Sequence, residues 1–448
     1  MAGSVHDSPL LAKLFNAGDV SKLFTDSAEM RALLIVEGAL AKVQGAAGLI
    51  PEISAAAIHR AAMEVQIDPA GLAEATATNG VCIPAFVAAF RTAMEAPEHS
   101  QYIHFGATSQ DILDTGLMLR LRQVLGHYET ALAETLEGLA ALAEAHADLP
   151  MAGRTYGQHA TPVSFGSVVA HWGAPLLDLF AELPALRDRV LWVSLSGAAG
   201  TGSAMGPQAE TIRAALAEAL GLRDPQRSWH NDRSPILALA GWLSRLGAAL
   251  GKMAEDLLAL TMTGIGEVNL GAAGGSSTMP QKQNPVKPSV ILALSRQITA
   301  LNGTLLTAGS PRLERDGSAW FTEWLTVPQL CLSGAAMLEQ ARSLSRTLAP
   351  NADAMRGALS GGQGLIYAEA LSFELAKTLP RPEAQAAVKT LCVEAGKTGA
   401  ELGDLAAKAF PDLALSALFD PAAQMGSAPA EARRFADTVR SLGFTKTG

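Results

Sequence analysis

The sequence predicts an all-α fold built around a central bundle of long helices, on three observations. The 448-residue chain is 49% hydrophobic but only 5% aromatic, whereas strands favour aromatic and β-branched residues. Alanine and leucine, both strong helix formers, are abundant. Apolar residues also recur at alternating steps of four and three, the spacing of a bundle seam: Leu239, Leu243, Leu246, Leu250, Met253, Leu257 and Leu260.

The middle of the chain carries four long runs of helical periodicity. The first covers about residues 111–147, and the second begins at Ser234, which forms a favourable N-cap and first-turn pair with Pro235. The third follows Pro288, and the fourth covers about residues 323–348. Helices of roughly 30 residues far exceed the usual length. Their seams could pack within the chain, or other subunits could complete the bundle.

Turn-rich interruptions divide the chain into three predicted domains, in line with about 150 residues per domain. The strongest interruption covers residues 271–288, and weaker ones cover 98–106, 150–162 and 197–207. We expect three parts: an N-terminal helical domain over residues 1–108, the central long-helix bundle over 109–350, and a smaller C-terminal helical domain over 351–448.

Composition and charge disfavour several classes of protein. A net charge of −9 argues against a general nucleic-acid-binding surface, which requires basic patches. No uninterrupted apolar run is long enough to span a membrane, and no signal peptide is evident. The dispersed cysteines, Cys82, Cys331 and Cys392, suggest neither a disulfide framework nor a zinc site. We therefore expect a soluble cytoplasmic protein without membrane or nucleic-acid partners.

The segment GGSSTMPQKQNP, residues 274–285, is the strongest candidate for chemistry. It lies between two long helices, where a plain connection needs only about 2–8 residues. Its glycines make the first part flexible, and its prolines stiffen the second part. Ser276, Lys282 and Asn284 offer a hydroxyl, a cation and an amide, which together could stabilise an anionic transition state. On spacing alone, a long polar loop without a chemical role is the alternative.

This segment resembles the signature of the fumarase/aspartase superfamily, Gly-Ser-Ser-x-Met-Pro-x-Lys-x-Asn-Pro, at every defined position. The resemblance implies the three-domain all-α fold of that superfamily and a proton transfer at the carbon next to a carboxylate. It assigns the proton transfer to Ser276 and stabilisation of the resulting enediolate to Lys282 and Asn284. It also implies substrate contacts for Ser277 and Met279.

The segment HFGATSQD, residues 104–111, resembles the first site region of the same superfamily. The resemblance implies substrate binding by Thr108, Ser109 and Gln110. Thr108, Ser109 and Asp111 could also be N-caps of the helix that follows. Both interpretations can hold at once, because a helix N-terminus is itself favourable for anions.

The segment GRTYGQHA, residues 153–160, resembles the second site region. It implies substrate contacts for Arg154, Thr155, Tyr156 and Gln158, and a proton or hydrogen bond from His159. Arg154 taken alone could instead be an ordinary surface or capping residue. Strings that resemble the bacterial muconate cycloisomerases of this superfamily lie later in the chain: Trp229-His230, Glu314-Arg315, Trp320 and Glu323-Trp324. We expect Trp320 and Trp324 to be core or pocket wall.

Within the superfamily, the chain looks most like the bacterial muconate cycloisomerases. Tyr156 stands where fumarase and adenylosuccinate lyase carry a general-acid histidine, and these cycloisomerases have an aromatic residue there. Arg315 would bind a substrate carboxylate. Gln281 and Gln283 depart from the subfamily, which usually has histidine and arginine at these positions, so the particular anionic substrate stays open.

The resemblance implies an enzyme that closes 3-carboxy-cis,cis-muconate to a lactone, acting on a small dicarboxylate or tricarboxylate. It implies a homotetramer in which each site combines residues of three subunits. The residues suggest no cofactor and no metal. The alternatives are a cycloisomerase for another substituted muconate such as 3-sulfomuconate, a fumarate-releasing lyase of the adenylosuccinate type, and a crystallin-like structural protein. The complete signature segment argues against the last of these.

Overall fold

The computed structural model describes residues 3–271, 274–275, 279 and 282–444. Helices dominate these residues: α1 (Asp26–Ala46), α2 (Glu52–Glu64), α3 (Ala73–Asn79), α4 (Ile83–Met94), α5 (Pro97–Ser100), α6 (Ser109–Ala145), α7 (Phe165–Ala181), α8 (Leu183–Val190), α9 (Ala209–Leu220), α10 (Ser234–Leu260), α11 (Val286–Ala308), α12 (Gly317–Thr347), α13 (Ala352–Ser360), α14 (Ala368–Leu375), α15 (Arg381–Thr398), α16 (Leu402–Ala409) and α17 (Ala428–Ser441). Short 3-10 helices cover Gly18–Phe24, Pro69–Leu72, Ser203–Gln208, Leu365–Tyr367, Ser416–Phe419 and Pro421–Gln424.

The chain divides into two compact units. The first unit contains Met1–Ala131, Leu179–Ala248 and Ala293–Glu339. The second unit contains Leu132–Asp178, Ala249–Leu292 and Gln340–Gly448. The three predicted domains, with boundaries near residues 108 and 350, stay a prediction.

A hydrophobic core holds the first unit together. Buried side chains of α1, α2, α4, α9 and the beginning of α6 form this core, together with Trp320 at the start of α12. Helices α1 and α2 approach closely because Gly38 has no side chain: a Cβ there would lie 2.7 Å from the Cβ of Ala62. The neighbouring Glu37 is fully buried and belongs to the site described below.

In the second unit, α14, α15 and α16 form a smaller core of their own. Its fully buried members are apolar residues spaced along these helices: Leu371, Leu375, Ala384, Leu402 and Ala406. Helix α17 packs through Phe435 against Gly173 of α7, where a side chain larger than glycine has no room. The C-terminal helices therefore bury much of their apolar surface within the unit.

All four predicted long runs are helices, namely α6, α10, α11 and α12. Helix α12 begins at Gly317 rather than near Glu323, because Asp316 caps its first turn. The Asp316 carboxylate accepts hydrogen bonds from the Ser318 N–H at 3.0 Å and the Ser318 hydroxyl at 2.8 Å. Periodicity alone locates the start of this helix too late, because the cap depends on Asp316 and Ser318 and not on apolar spacing.

The apolar seam of α10 is buried within the chain itself. Its most exposed member, Leu260, is only 6% exposed. Of the two packing alternatives, packing within the chain therefore holds for this seam. At the start of the helix, the Asp232 carboxylate accepts a hydrogen bond from the Ser234 N–H at 3.1 Å, so Asp232 supplies the side-chain cap that the sequence assigned to Ser234.

Short antiparallel strand pairs supplement the helices. The strands are β1 (Pro150–Thr155), β2 (Gln158–Ser164), β3 (Val268–Asn269), β4 (Gly274–Gly275), β5 (Gln283–Asn284) and β6 (Ala349–Pro350), paired as β1–β2, β3–β6 and β4–β5. The interruption predicted over residues 150–162 is thus a β-hairpin. The prediction of an all-α fold is confirmed for the bulk of the described chain. A search of the same residues finds no helix with the length and hydropathy needed to cross a membrane.

Candidate active site

Three residues that the sequence predicted for substrate binding come together in the first unit, and we call Thr108, Gln110 and Arg315 the Arg315 cluster. Arg315 donates from Nε to Oε1 of Gln110 and from Nη2 to Oγ1 of Thr108, both at 3.0 Å. Nη2 also donates to the backbone oxygen of Ala198 at 3.2 Å. Ser109 follows Thr108 as the half-buried first residue of α6. All three acceptors are neutral, so none of them compensates the charge of the guanidinium.

The fully buried carboxylate of Asp111 organises the backbone around this cluster. It accepts five hydrogen bonds from three segments: the N–H of Thr108 (3.1 Å), the hydroxyl of Ser194 (3.1 Å), the N–H groups of Ser196 and Gly197 (both 2.9 Å) and Nε2 of His230 (2.8 Å). A buried carboxylate must be compensated by donors or charge, and this set compensates it. Asp111 is therefore more than the N-cap that spacing suggested.

The backbone oxygen and the side-chain hydroxyl of Thr108 have different partners. Its backbone oxygen accepts the N–H of Asp111 at 3.0 Å, as expected of an N-cap residue. Its hydroxyl accepts from Arg315 instead of capping the helix. The hydroxyl therefore lies at an anion-favouring helix N-terminus and next to a cation.

A buried carboxylate and a histidine form a second polar pair in the first unit. His104 Nδ1 lies 2.6 Å from Oε1 of Glu37, and the His104 N–H donates to Oε2 at 3.1 Å. Burial lowers the pKa of His104, but the hydrogen bond and charge of Glu37 outweigh it, so the pKa is raised above 6.5 overall. The pair holds residues 104–107 ahead of Thr108, and the sequence analysis gave neither residue a role.

In the second unit, Arg154 is held by a carboxylate of the chain itself. Its Nη1 and Nη2 donate to Oε2 and Oε1 of Glu267 at 2.8 and 2.7 Å, a bidentate pair. Glu267 is fully buried, and the side chain of Arg154 is 21% exposed. Nη2 also lies 3.4 Å from Nε2 of His159. Because arginine only donates, Nε2 of His159 is the acceptor in this contact.

Residues 155–159 form the exposed tip of the β1–β2 hairpin. Tyr156 and Gly157 both have positive φ angles, 51° and 73°, as expected for the two-residue turn that suits the twist of a hairpin. The Tyr156 side chain is fully exposed, and Thr155, Gln158 and His159 are exposed as well. The tip thus presents four of the predicted site residues to solvent, on a turn that disfavours a bulky residue such as tyrosine.

Strands β4 and β5 bracket the signature segment in the second unit. Gly274 pairs with Asn284 and Gly275 with Gln283, in antiparallel register. The Lys282 N–H donates to the backbone oxygen of Met279 at 3.0 Å. Lys282 and Met279 are exposed, and Asn284 is half-buried. The predicted catalytic Ser276 and its neighbour Ser277 lie outside the described residues.

A cavity of about 630 Å³ lies in the first unit, and Trp320 and Trp324 contribute to its wall. The pocket-wall role expected of these two residues is therefore confirmed. Four acidic side chains but only one basic side chain line the cavity: Asp26, Glu29, Asp114, Glu323 and Arg120. An anionic substrate is better matched electrostatically by the Arg315 cluster than by this cavity.

No group of three or more His, Cys, Asp or Glu side chains in the described ranges is arranged to hold a metal ion. The site residues that sequence reasoning missed are Glu37 and Glu267, and it took Asp111 only as a cap. No local sequence pattern indicates these three roles, because each carboxylate binds a partner that is distant in the sequence. His230 had been noted only as part of a matching string.

Comparisons with known proteins find relatives along most of the chain. A protein-family model described as lyase matches residues 13–300. A 3-carboxy-cis,cis-muconate cycloisomerase of Pseudomonas aeruginosa is 38% identical over 441 residues, covering 96% of both chains. A nitrosuccinate lyase of Streptomyces davaonensis is 33% identical and covers 95% of this chain and 94% of that protein. The crystal structure of the 3-carboxy-cis,cis-muconate lactonizing enzyme from Pseudomonas putida superposes with a TM-score of 0.92 at 33% identity, covering 97% of this chain and all of that one.

Proposed function

The chain belongs to the lyase family of the fumarase/aspartase superfamily, and on this premise we propose that it closes 3-carboxy-cis,cis-muconate to a carboxymuconolactone. The observation that carries the proposal is the similarity to a curated cycloisomerase over 96% of both chains. The free cysteines of the described chain accord with a soluble enzyme of the reducing cytoplasm.

The proposed reaction is an intramolecular addition. An oxygen of one muconate carboxylate adds to a carbon of a conjugated double bond. As the C–O bond forms, the π-electron pair moves towards the carboxylate conjugated with that bond, giving an enediolate. A proton then adds to the carbon next to that carboxylate. The attacking group is already ionised and needs no general base, and no leaving group needs an acid.

The Arg315 cluster is proposed to bind a carboxylate of the substrate. Arg315 is held in place by neutral acceptors, so its full charge stays available to an anion. Thr108 and Ser109 add the favourable field of the α6 N-terminus. Gln110 is buried beneath the guanidinium and belongs to the cluster without being open to solvent.

Residues of the second unit are proposed to carry out the proton transfer at the reacting carbon and to stabilise the enediolate. Ser276 would transfer the proton, and Lys282 and Asn284 would stabilise the enediolate, with Ser277 and Met279 contacting the substrate. Thr155, Tyr156 and Gln158 would shape the pocket, while Arg154 orients His159 for a hydrogen bond. Ser276→Ala is expected to lower kcat at least 100-fold. Activity within a few-fold of wild type would remove Ser276 from this role.

We further propose that the enzyme is a homotetramer whose sites combine residues of three subunits. The exposure of the hairpin tip supports this, since a fully exposed tyrosine on an unfavourable turn suits a residue that acts on a neighbouring chain. Refolding a mixture of two impaired variants, Arg315→Met and Lys282→Ala, should restore part of the activity if sites are shared. Absence of restoration, or an active monomer by light scattering, would reject shared sites.

The deciding experiment is a spectrophotometric assay with 3-carboxy-cis,cis-muconate. Lactonisation removes the conjugated diene, so ultraviolet absorbance should fall upon addition of the folded protein. Turnover of 3-sulfomuconate in preference would redirect the proposal to another substituted muconate.

A second candidate is an eliminating lyase, favoured by the 33% identity to a nitrosuccinate lyase. Nitrosuccinate and adenylosuccinate, assayed for release of fumarate, are the substrates that test it. Fumarate release with no loss of diene absorbance would replace the cycloisomerase by this lyase. A well-folded protein inactive on all these substrates would support a structural role instead.

A further inference from the structure

Gln110 occupies an unusual place for a predicted substrate-binding residue. It is only 1% exposed, and both ends of its amide are engaged within the chain. Nε2 donates to the backbone oxygen of His230 at 3.0 Å, and Oε1 accepts from Nε of Arg315 at 3.0 Å. The orientation of the amide follows from chemistry, because a carbonyl only accepts and a guanidinium only donates.

The partners of Arg315 all depend on Asp111. Asp111 binds the N–H of Thr108, whose hydroxyl accepts from Arg315. It binds the N–H of Gly197, next to Ala198, whose oxygen also accepts from Arg315. It also binds the His230 ring, and the His230 backbone oxygen orients Gln110.

We infer that Gln110 is a positioning residue for Arg315, fixed in turn by the Asp111 carboxylate, and that it does not contact the substrate. This inference rests on the proposed role of Arg315 in binding a substrate carboxylate. An arginine side chain has many rotamers, and ordering it costs entropy when the substrate binds. Gln110 orders the guanidinium beforehand and, being neutral, leaves its charge for the anion.

The test is a double-mutant cycle between Gln110→Met and Arg315→Met. Methionine keeps the length and unbranched shape of glutamine but removes both hydrogen bonds. Gln110→Met should raise KM about tenfold, the equivalent of one charge-assisted hydrogen bond, with kcat within about twofold. In the Arg315→Met background the same substitution should leave KM unchanged, because the residue it acts through is gone.

Gln44→Met is the matched control. Gln44 is also 1% exposed, lies in the same unit and donates from Nε2 to the backbone oxygen of Phe105 at 2.7 Å, but it has no contact with Arg315 in the structure. Its effect on KM should be the same with and without Arg315. Equal KM effects of Gln110→Met in both backgrounds would overturn the inference.

The same double-mutant cycle can also be measured by the free energy of unfolding of each variant, which needs no substrate. We expect the change in the free energy of unfolding of the double variant to differ from the sum of the two single changes. If the two changes simply add, the inference is overturned, even if activity is never detected. Failure of the wild-type protein to turn over any muconate would reject the proposed function alone. The two failures are therefore distinguishable.

Discussion

Two arginines that the sequence assigned to the same task are held in opposite ways. Arg315, in the first unit, is bound by a threonine hydroxyl, a glutamine amide and a backbone oxygen. Arg154, in the second unit, is bound at both Nη atoms by the buried carboxylate of Glu267. Neutral acceptors orient a cation and leave its charge uncompensated. A bidentate carboxylate orients the cation and also compensates its charge.

The comparison teaches that an arginine in a site motif has no single role. Arg315 keeps a charge that can attract an anion, and we assign substrate binding to it. Arg154 forms a compensated pair that anchors the β1–β2 hairpin to the segment before β3. Its Nη2 also lies 3.4 Å from Nε2 of His159 at the exposed tip.

The largest expected effect separates the two arginines by stability. Arg154→Met leaves the buried carboxylate of Glu267 uncompensated, which should lower the free energy of unfolding by about 3 kcal/mol. Arg315→Met removes an exposed side chain and should change it by less than about 1 kcal/mol. Denaturant unfolding measures both. The double variant Arg154→Met/Glu267→Leu should recover part of the lost free energy of unfolding. If Arg154→Met lowers this free energy as little as Arg315→Met does, the two arginines do not differ in their contribution to stability.

The second effect separates them by activity. Arg315→Met should lower kcat/KM about 100-fold, equivalent to about 2.7 kcal/mol, because a charge-assisted contact with the substrate carboxylate is lost. Arg315→Lys keeps the charge but loses the planar pair of guanidinium donors. Its kcat/KM should therefore lie between those of Arg315→Met and wild type. Steady-state kinetics on the muconate decides this. Wild-type kcat/KM in Arg315→Met would remove the cluster from substrate binding.

A third contrast lies in pH dependence, because arginine stays charged in proteins whereas histidine titrates. The raised pKa of His104 means that the native protein holds its proton more tightly than the unfolded chain does. The stability from the His104–Glu37 pair is therefore fully present below pH 6.5 and is lost as the pH rises through the raised pKa. Unfolding of wild type and His104→Gln between pH 5 and pH 9 should show a difference of about 1–2 kcal/mol at low pH that shrinks at high pH. If the difference in the free energy of unfolding between wild type and His104→Gln grows with pH, the pKa of His104 is not raised in the native protein.

The smallest effect concerns the hairpin tip. Tyr156 is fully exposed in a left-handed conformation, where asparagine before glycine is preferred. Tyr156→Asn should therefore raise the free energy of unfolding by up to about 1 kcal/mol while lowering activity, because Tyr156 is proposed to shape the pocket. Gln158→Ser, a neighbouring exposed change outside the turn, is the control for stability. Full activity in Tyr156→Asn would show that the aromatic side chain is dispensable.

Much of the fold was accessible from the sequence because long helices repeat their pattern many times. The α10 seam from Leu239 to Leu260 alternates so regularly that both its helix and its buried face follow. The start of α12 and the β1–β2 hairpin were not accessible in this way. The cap at Asp316 and the turn at Tyr156 each depend on a few residues, and tyrosine is an unexpected residue for a left-handed turn position.

The sequence by itself determined the helical class, the long runs, the family and the identity of Thr108, Gln110, Arg154 and Arg315 as residues of interest. Only the tertiary structure decided which partners hold these residues. Asp111 meets His230, and Arg154 meets Glu267, across more than a hundred residues of chain. Such contacts leave no periodic trace in the sequence, because a hydrogen bond between distant segments depends on how the helices pack. For that reason, the difference between an arginine that keeps its charge and one that is neutralised appears only in the folded chain.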